Sequence, residues 1–282
     1  MPAVILCGGV GSRLAEETER MPKPLVEIGG RPILWHIMKF YSYFGFNKFI
    51  LCLGYKGDMI RDYFLNYEYN QHDLKVKVGS GGRSVQVLSN TRQTENWEII
   101  LADTGLYAMT GARVKKIERY VDSETFLLTY GDGVTDVDVS RTVDYHFSHG
   151  RVGTVTGVRP PSRFGELVVC NVPEGEKVES FQEKPNLTDS VDYPERYING
   201  GFYVFSKRFF NYLPPGDQVM LEKEPMETLS QSGQLMMYSH HGFWQCMDTV
   251  RDLNLLRDLW QKGAPWKVWE ERRARRESVL EA

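Results

Sequence analysis

The residues best suited to chemistry stand near the start of the chain. Gly8-Gly9-Val10-Gly11-Ser12-Arg13-Leu14 follows directly on the apolar run Val4 to Cys7. Glycines let backbone N–H groups approach an anion closely, and a helix start behind them would add its positive end. Arg13 in the same loop can clamp phosphate oxygens with its planar fork. An ordinary tight strand-to-helix turn, with Arg13 in solvent, accounts for the glycines equally well. The spacing is not G-x-G-x-x-G and no G-K-[ST] follows, so dinucleotide-fold and P-loop readings are weak. Pro22-Lys23-Pro24 is the second signal. A lysine between prolines sits on a stiff backbone, so its ammonium is placed at little entropic cost. A surface turn is the plain alternative. His146 and His149 form H-x-x-H, but zinc needs further ligands at suitable spacing, and two histidines on a helix surface are the simpler reading. No Ser-His-Asp or Cys-His nucleophile pattern stands out.

These residues need elements to hold them. Val4 to Cys7 and Phe49 to Leu53 read as buried strands, each closed by glycine. Pro32 opens a helix in which Ile33, Leu34, Ile37, Met38 and Tyr41 recur at helical spacing, and Gly45 ends it. Asp58 caps a second helix running to about Asn66. Residues 67–96, with the polar centre Gly79-Ser80-Gly81-Gly82-Arg83, predict strands and loops. A strand follows over Trp97 to Ala102, a helix over Val114 to Tyr120, and a strand over Phe126 to Tyr130 that runs into Gly131-Asp132-Gly133. Strand and helix alternating at these lengths mean βαβ units and a mostly parallel sheet. After Gly153 the texture becomes richer in strand, until a helix returns over Asp248 to Trp260. The fold class is therefore α/β: a Rossmann-like mixed, mostly parallel central sheet flanked by helices, with a strand-rich C-terminal elaboration. Residues 1–269 read as one domain and 270–282 as a charged tail.

At 282 residues with a formal charge of −3, the chain is long enough for its own core and is no generally basic nucleic-acid binder. No apolar run approaches the ~18–20 residues a membrane span needs, and the start lacks a signal-peptide pattern. Cys7, Cys52, Cys170 and Cys246 are far apart with no C-x-x-C pair, which favours a reduced, cytoplasmic setting. The charge balance and the short apolar runs predict no nucleic-acid and no membrane partner.

Together, G-G-x-G-[ST]-R-L and P-K-P-L resemble the signature of the nucleotide-sugar pyrophosphorylases, the sugar-1-phosphate nucleotidylyltransferases, and most closely their cytidylyltransferase branch. Val26-Glu27-Ile28-Gly29-Gly30, Pro32-Ile33-Leu34-Trp35-His36, Asp103-Thr104-Gly105, Met109-Thr110-Gly111 and Tyr130-Gly131-Asp132-Gly133 continue the likeness. So do Arg163-Phe164-Gly165, Phe181-Gln182-Glu183-Lys184-Pro185, Ile198-Asn199-Gly200-Gly201 and Phe243-Trp244-Gln245 with Met247-Asp248-Thr249. The resemblance implies the nucleotide-diphospho-sugar transferase fold. It also implies transfer of a cytidylyl group from CTP to glucose 1-phosphate, by in-line attack at the α-phosphorus. By the same resemblance Arg13 and Lys23 are catalytic. Leu6, Gly8, Gly9, Gly11, Ser12, Arg13, Lys23, Thr110, Gly111, Arg113 and Asp132 face the nucleotide. Tyr130, Gly131, Glu183, Lys184, Asn199 and Gly200 face the sugar, and Asp132 with Asp248 holds Mg²⁺. A homo-oligomer is implied as well, a hexamer being one such assembly, with 68–96 in its interfaces. Backbone groups near Gly8, Gly9 and Gly111 would read cytosine.

Met21 stands where this branch usually carries a further lysine, Ala112 replaces a second glycine, and Cys246 replaces a proline. The segment Leu187 to Arg196 is longer than the usual loop before the sugar residues. Those departures keep open another sugar phosphate, UTP or dTTP in place of CTP, and a non-catalytic nucleotide-sugar-binding subunit.

Overall fold

The computed structural model describes residues 1–79, 83–88, 95–159, 166–182 and 197–270. Arg163, Phe164, Gly165, Glu183, Lys184, the loop 187–196 and the tail beyond 270, all singled out above, lie outside them. Four strands of the first half, β1 (Ala3–Leu6), β2 (Lys48–Leu53), β3 (Glu98–Asp103) and β4 (Thr125–Tyr130), lie parallel in the order β3-β2-β1-β4. β1 is wholly buried, as a central parallel strand with both faces covered must be. Helices α1 (Ile33–Tyr43), α2 (Gly57–Leu65) and α3 (Thr110–Lys116) complete this half.

The second half extends the same sheet through β6 (Gly153–Val158), β7 (Glu166–Val172), β8 (Gly175–Gln182), β9 (Tyr197–Ser206) and β10 (Leu235–Ser239), once the short β5 (Gly133–Thr135) has left it. β9 pairs antiparallel with β4 through Phe202 to Ser206. Its other edge pairs with β6, and β6, β10, β8 and β7 lead back to β9. The pairings therefore close on themselves, which removes the open edges a strand-rich elaboration would otherwise expose. Only β8 and β9 run against the direction of the other strands of this nine-stranded sheet. The expected mixed, largely parallel sheet flanked by helices is thus the fold observed. Helices α4 (Val139–His149), α5 (Glu224–Gln231) and α6 (Val250–Gln261) pack about it, and β11 (Trp244–Cys246) pairs with β5 as a separate ribbon.

Three expectations shift. Helix α2 starts at Gly57 behind Lys56, so Asp58 sits in its first turn and does not cap it. Helix α3 starts a turn earlier than its apolar pattern, at Thr110. His146 and His149 are not on a helix surface: both are buried at the end of α4, and the Thr154 hydroxyl meets their rings at 2.9 and 2.8 Å. Burial lowers both to about 4, so they stay neutral, as their shared hydroxyl partner suits.

Candidate active site

A cleft opens at the carboxyl ends of β1 and β4, where open α/β sheets bind their ligands. It has two chambers, of about 220 and 310 Å³, that share Thr110, Tyr130 and Asp132. Leu6, Gly8, Gly9, Gly11, Lys23, Gly131 and Arg113 line the smaller one. Asn199, Gly200, Trp244 and Asp248 line the larger.

Local sequence explains how the loop into the smaller chamber is held. Gly11 has φ +67°, and a Cβ there would meet the Thr18 methyl at 2.9 Å, so the turn needs glycine. The Thr18 hydroxyl donates to the Gly11 carbonyl. Ser12 to Leu14 forms one 3₁₀ turn and Ala15 to Thr18 a single α turn. The positive end expected behind the glycines is therefore short. Ser12 is exposed and lies outside both chamber walls.

Arg113 is buried, and its guanidinium is spent on the fold. It donates to the Gly8, Leu53, Gly105 and Leu106 carbonyls and to the Thr104 hydroxyl at 2.7–3.3 Å. It therefore ties the glycine loop to β2 and the loop after β3. The Gly8 carbonyl accepts from Arg113 and from Tyr55 N–H, so both its lone pairs are occupied. Of the backbone groups near Gly8, Gly9 and Gly111 expected to face the base, this one carbonyl is therefore already engaged. Gly111 also has a structural reason: a Cβ there would lie 2.8 Å from Val219 Cγ1 and 3.0 Å from its carbonyl. Residues 217–222 form a strap over the start of α3. The Asp217 and Val219 carbonyls accept from Met109 and Ala112 N–H. These bonds satisfy helix-start donors that no side chain caps, which is why α3 begins early.

The charges gather where the chambers meet. Pro22 and Pro24 fix the turn that carries Lys23. Its Nζ lies 2.5 Å from Asp132 Oδ2 and 2.6 Å from Asp248 Oδ1, while Arg13 Nη1 lies 3.1 Å from Asp248 Oδ2. Burial pulls Lys23 down, but the charges of Asp132 and Asp248 outweigh it and hold it above the ordinary lysine value. The two carboxylates come from opposite halves of the chain. Asp132 precedes β5 and Asp248 follows β11; Cys246 pairs with Gly133, and Met247 N–H donates to the Asp132 carbonyl at 2.8 Å. Thr249 and Asp252 then cap α6 reciprocally, fixing the chain just after Asp248. Two carboxylate oxygens converging on one point cation also suit a hard divalent ion. Among the described residues no third His, Cys, Asp or Glu joins them, so an ion there would complete its shell with phosphate oxygens and water.

Asn199 Oδ1 accepts from Gly201 N–H at 2.9 Å and its Nδ2 donates to the Tyr203 hydroxyl at 2.5 Å. Trp244 Nε1 donates to the Gly200 carbonyl at 2.7 Å. Glu222, at the end of the strap, accepts from the Thr110 hydroxyl at 2.7 Å and from the Tyr130 phenol. Burial, then the Glu222 charge, push that phenol well above its usual range, so it remains a donor. Sequence reasoning passed over Glu222, because Glu222-Lys223-Glu224 reads as a solvated charged run.

An α/β cleft with a glycine loop, a proline-held lysine and paired aspartates fits the family comparison. The nucleotidyl transferase family model matches residues 2–257, and the chain belongs to that family. It is 47% identical over 272 residues to the glucose-1-phosphate cytidylyltransferase of Salmonella typhi, covering 96% of this chain and all of that protein. It is 44% identical over 270 residues to the probable glucose-1-phosphate cytidylyltransferase of Bacillus subtilis (strain 168), covering 95% of this chain and all of the other. The fold is also similar to that of a UDP-glucose pyrophosphorylase crystallised with UDP-glucose, with a TM-score of 0.73 at 15% identity, over 93% of this chain and 98% of that one. No helix among the described residues is long and apolar enough to cross a membrane.

Proposed function

We propose that the protein transfers a cytidylyl group from CTP to glucose 1-phosphate, forming CDP-glucose and pyrophosphate. A phosphate oxygen of the sugar phosphate attacks the α-phosphorus in line. The bond to the bridging oxygen breaks, and pyrophosphate leaves with that electron pair. Catalysis here is positioning and charge neutralisation, since two anions must meet. The single observation that carries the reading is the Lys23 ammonium, held between Asp132 and Asp248 where the two chambers join. A cation there serves the reacting phosphates, with nucleotide in the smaller chamber and sugar in the larger. The full-length similarity to glucose-1-phosphate cytidylyltransferases supports the choice of base and sugar.

Arg13 and Lys23 act on the phosphates, and Gly9 and Gly11 shape the backbone that approaches them. Asn199, Gly200 and Tyr130 face the hexose. Asp132 and Asp248 would hold Mg²⁺, which would withdraw charge from the phosphate oxygens. Pyrophosphate release measured with CTP, UTP, dTTP and GTP against a panel of sugar 1-phosphates tests the proposal. CTP with glucose 1-phosphate should give the highest kcat/KM. Equal turnover with UTP or dTTP would remove the cytidylyl assignment.

Residues 1–269 act as one domain in this reading, supported by the sheet their two halves share. Limited proteolysis yielding two separately stable halves would refute that. The chain assembles with copies of itself through the exposed hairpin Leu74–Lys77 and Ser84–Val87, which leaves Val76, Val78 and Leu88 in solvent. Light scattering that finds a 32.5 kDa particle at micromolar concentration would refute the assembly.

A further inference from the structure

One carboxylate in the cleft has no part in the phosphate chemistry. Glu222 lines the larger chamber beside Asn199 and Gly200. Its two partners, the Thr110 hydroxyl and the Tyr130 phenol, are neutral donors, one on each oxygen. No cation pairs with it among the described residues. A carboxylate offers about four lone-pair sites, so two donors leave it with acceptor capacity. The neighbouring polar groups are engaged differently. Asn199 uses Oδ1 on Gly201 N–H and Nδ2 on Tyr203, and the Trp244 indole is held by the Gly200 carbonyl.

A half-buried negative charge that meets no counter-ion among the described residues, in a cleft that receives two polyanions, repels phosphate and accepts from hydroxyls. We infer that Glu222 is a sugar-specificity residue, the acceptor for hydroxyl groups of the hexose ring. This rests on the sugar-phosphate reading given above and names the residue that orients the substrate. Lys23 and Arg13 draw the phosphate to the meeting of the chambers, and Glu222 takes hydroxyls and rejects phosphate in the wall of the larger one. Thr110 and Tyr130 fix the two carboxylate oxygens beforehand, so little side-chain freedom is lost when the sugar arrives.

The test compares wild type and Glu222→Gln on glucose 1-phosphate and its 2-, 3-, 4- and 6-deoxy analogues, at saturating CTP and Mg²⁺. The wild type should lose about 10-fold or more in kcat/KM on at least one analogue, the size expected for a hydrogen bond to a charged group. Glu222→Gln should lose as much on glucose 1-phosphate itself and should no longer distinguish it from that analogue. Titration calorimetry with CTP checks that the nucleotide chamber of the variant is intact. If Glu222→Gln rejects every analogue that the wild type rejects, or if the wild type rejects none, the assignment is wrong. Should Glu222→Gln not fold, Glu222→Asp answers the same question, because a carboxylate withdrawn by one methylene should also lose the discrimination, and keeping it overturns the inference. A wild-type protein that releases pyrophosphate with no substrate pair refutes the proposed reaction instead. The inference is then read from binding of glucose 1-phosphate alone, and equal affinity in wild type and variant overturns it.

Discussion

Asp132 and Asp248 share the Lys23 ammonium, with Arg13 beside them, whereas Glu222 holds two hydroxyl groups and meets no cation among the described residues. The charged cluster lies where the two chambers meet and Glu222 in the wall of the larger one, with Tyr130 lining both. In the first region the fold has concentrated opposite charges on loops braced by prolines, a three-residue ribbon and a capped helix. In the second it has left one negative charge among neutral donors. The contrast shows how a site for two phosphorylated substrates can sort their parts by charge before any base or ring is read.

Removing the cation should have the largest effect. Lys23→Met should lower turnover by about 10²–10³, the usual loss for one preorganised electrostatic contact. It should weaken substrate binding less, because the charge matters most as the phosphates meet. Steady-state kinetics on folded protein check this, and Met21 sharpens the test, since no neighbouring lysine is there to substitute. A near-normal kcat would place the chemistry on other residues. Next come the carboxylates. Asp132→Asn or Asp248→Asn removes a charge at nearly constant shape, so the metal concentration for half-maximal activity should rise about 10-fold or more. Calorimetry with Mg²⁺ in the presence of CTP reads that weakening without turnover, and Glu222→Gln should leave Mg²⁺ affinity unchanged. If Glu222→Gln weakens Mg²⁺ as much as the aspartate variants do, the two regions are not distinct.

Much of the first region was legible in the sequence because its parts are local. Apolar runs closed by glycine marked β1, β2 and β4, and Gly8 to Leu14, Pro22 to Pro24 and Gly131 to Gly133 are contiguous motifs at loop positions. What spacing does not contain is the meeting of Asp132 with Asp248, which depends on pairing between β5 and β11, two strands too short to announce themselves. The second region was hidden for a related reason. Glu222 reaches the cleft because the strap docks on α3, and that docking is made of backbone carbonyls and one glycine, not of an apolar pattern. Burial rather than residue type decides what the paired histidines do, and it turns the Arg113 guanidinium to backbone carbonyls although the residue lines the smaller chamber.

The strap gives a way to disturb the second region alone. A methyl group on Gly111 would sit about as close to Val219 and to Leu221 N as atoms are ever found, and the strap backbone must move. Gly111→Ala should cost about 2–3 kcal/mol of stability, as overpacking a tight contact does. It should also raise KM for the sugar phosphate while the kcat dependence on Lys23 persists. Denaturant unfolding and steady-state kinetics check the two parts. A variant of wild-type stability would mean that the strap is not seated as described.

The smallest effect concerns a region remote from both charges, and it separates fold stability from site chemistry. His36 is fully buried between aromatic rings, with Nε2 2.9 Å from the Ile28 carbonyl and Nδ1 accepting from Trp266 Nε1 at 3.4 Å. A carbonyl on one side and an indole N–H on the other select the neutral tautomer protonated at Nε2, since an imidazolium would turn an N–H toward the indole donor. Burial accordingly lowers its pKa from 6.5 to about 4. The folded value lies below the unfolded one, so at pH 7.5 neither state is protonated and the group contributes nothing to pH dependence. Between about 6.5 and 4 the unfolded chain takes up a proton that the folded chain refuses, and stability falls as pH falls. At pH 5.5 the loss from this one residue is about 1.4 kcal/mol. Urea unfolding at pH 7.5 and 5.5 should show that difference between wild type and His36→Gln, after the contributions of His146 and His149 common to both proteins cancel. At pH 5.5 Lys23, held above the ordinary lysine value by the aspartate charges, keeps its own charge, so turnover per folded molecule should change far less than stability. If His36→Gln shows the same acid loss as the wild type, then His36 is not the buried neutral group described.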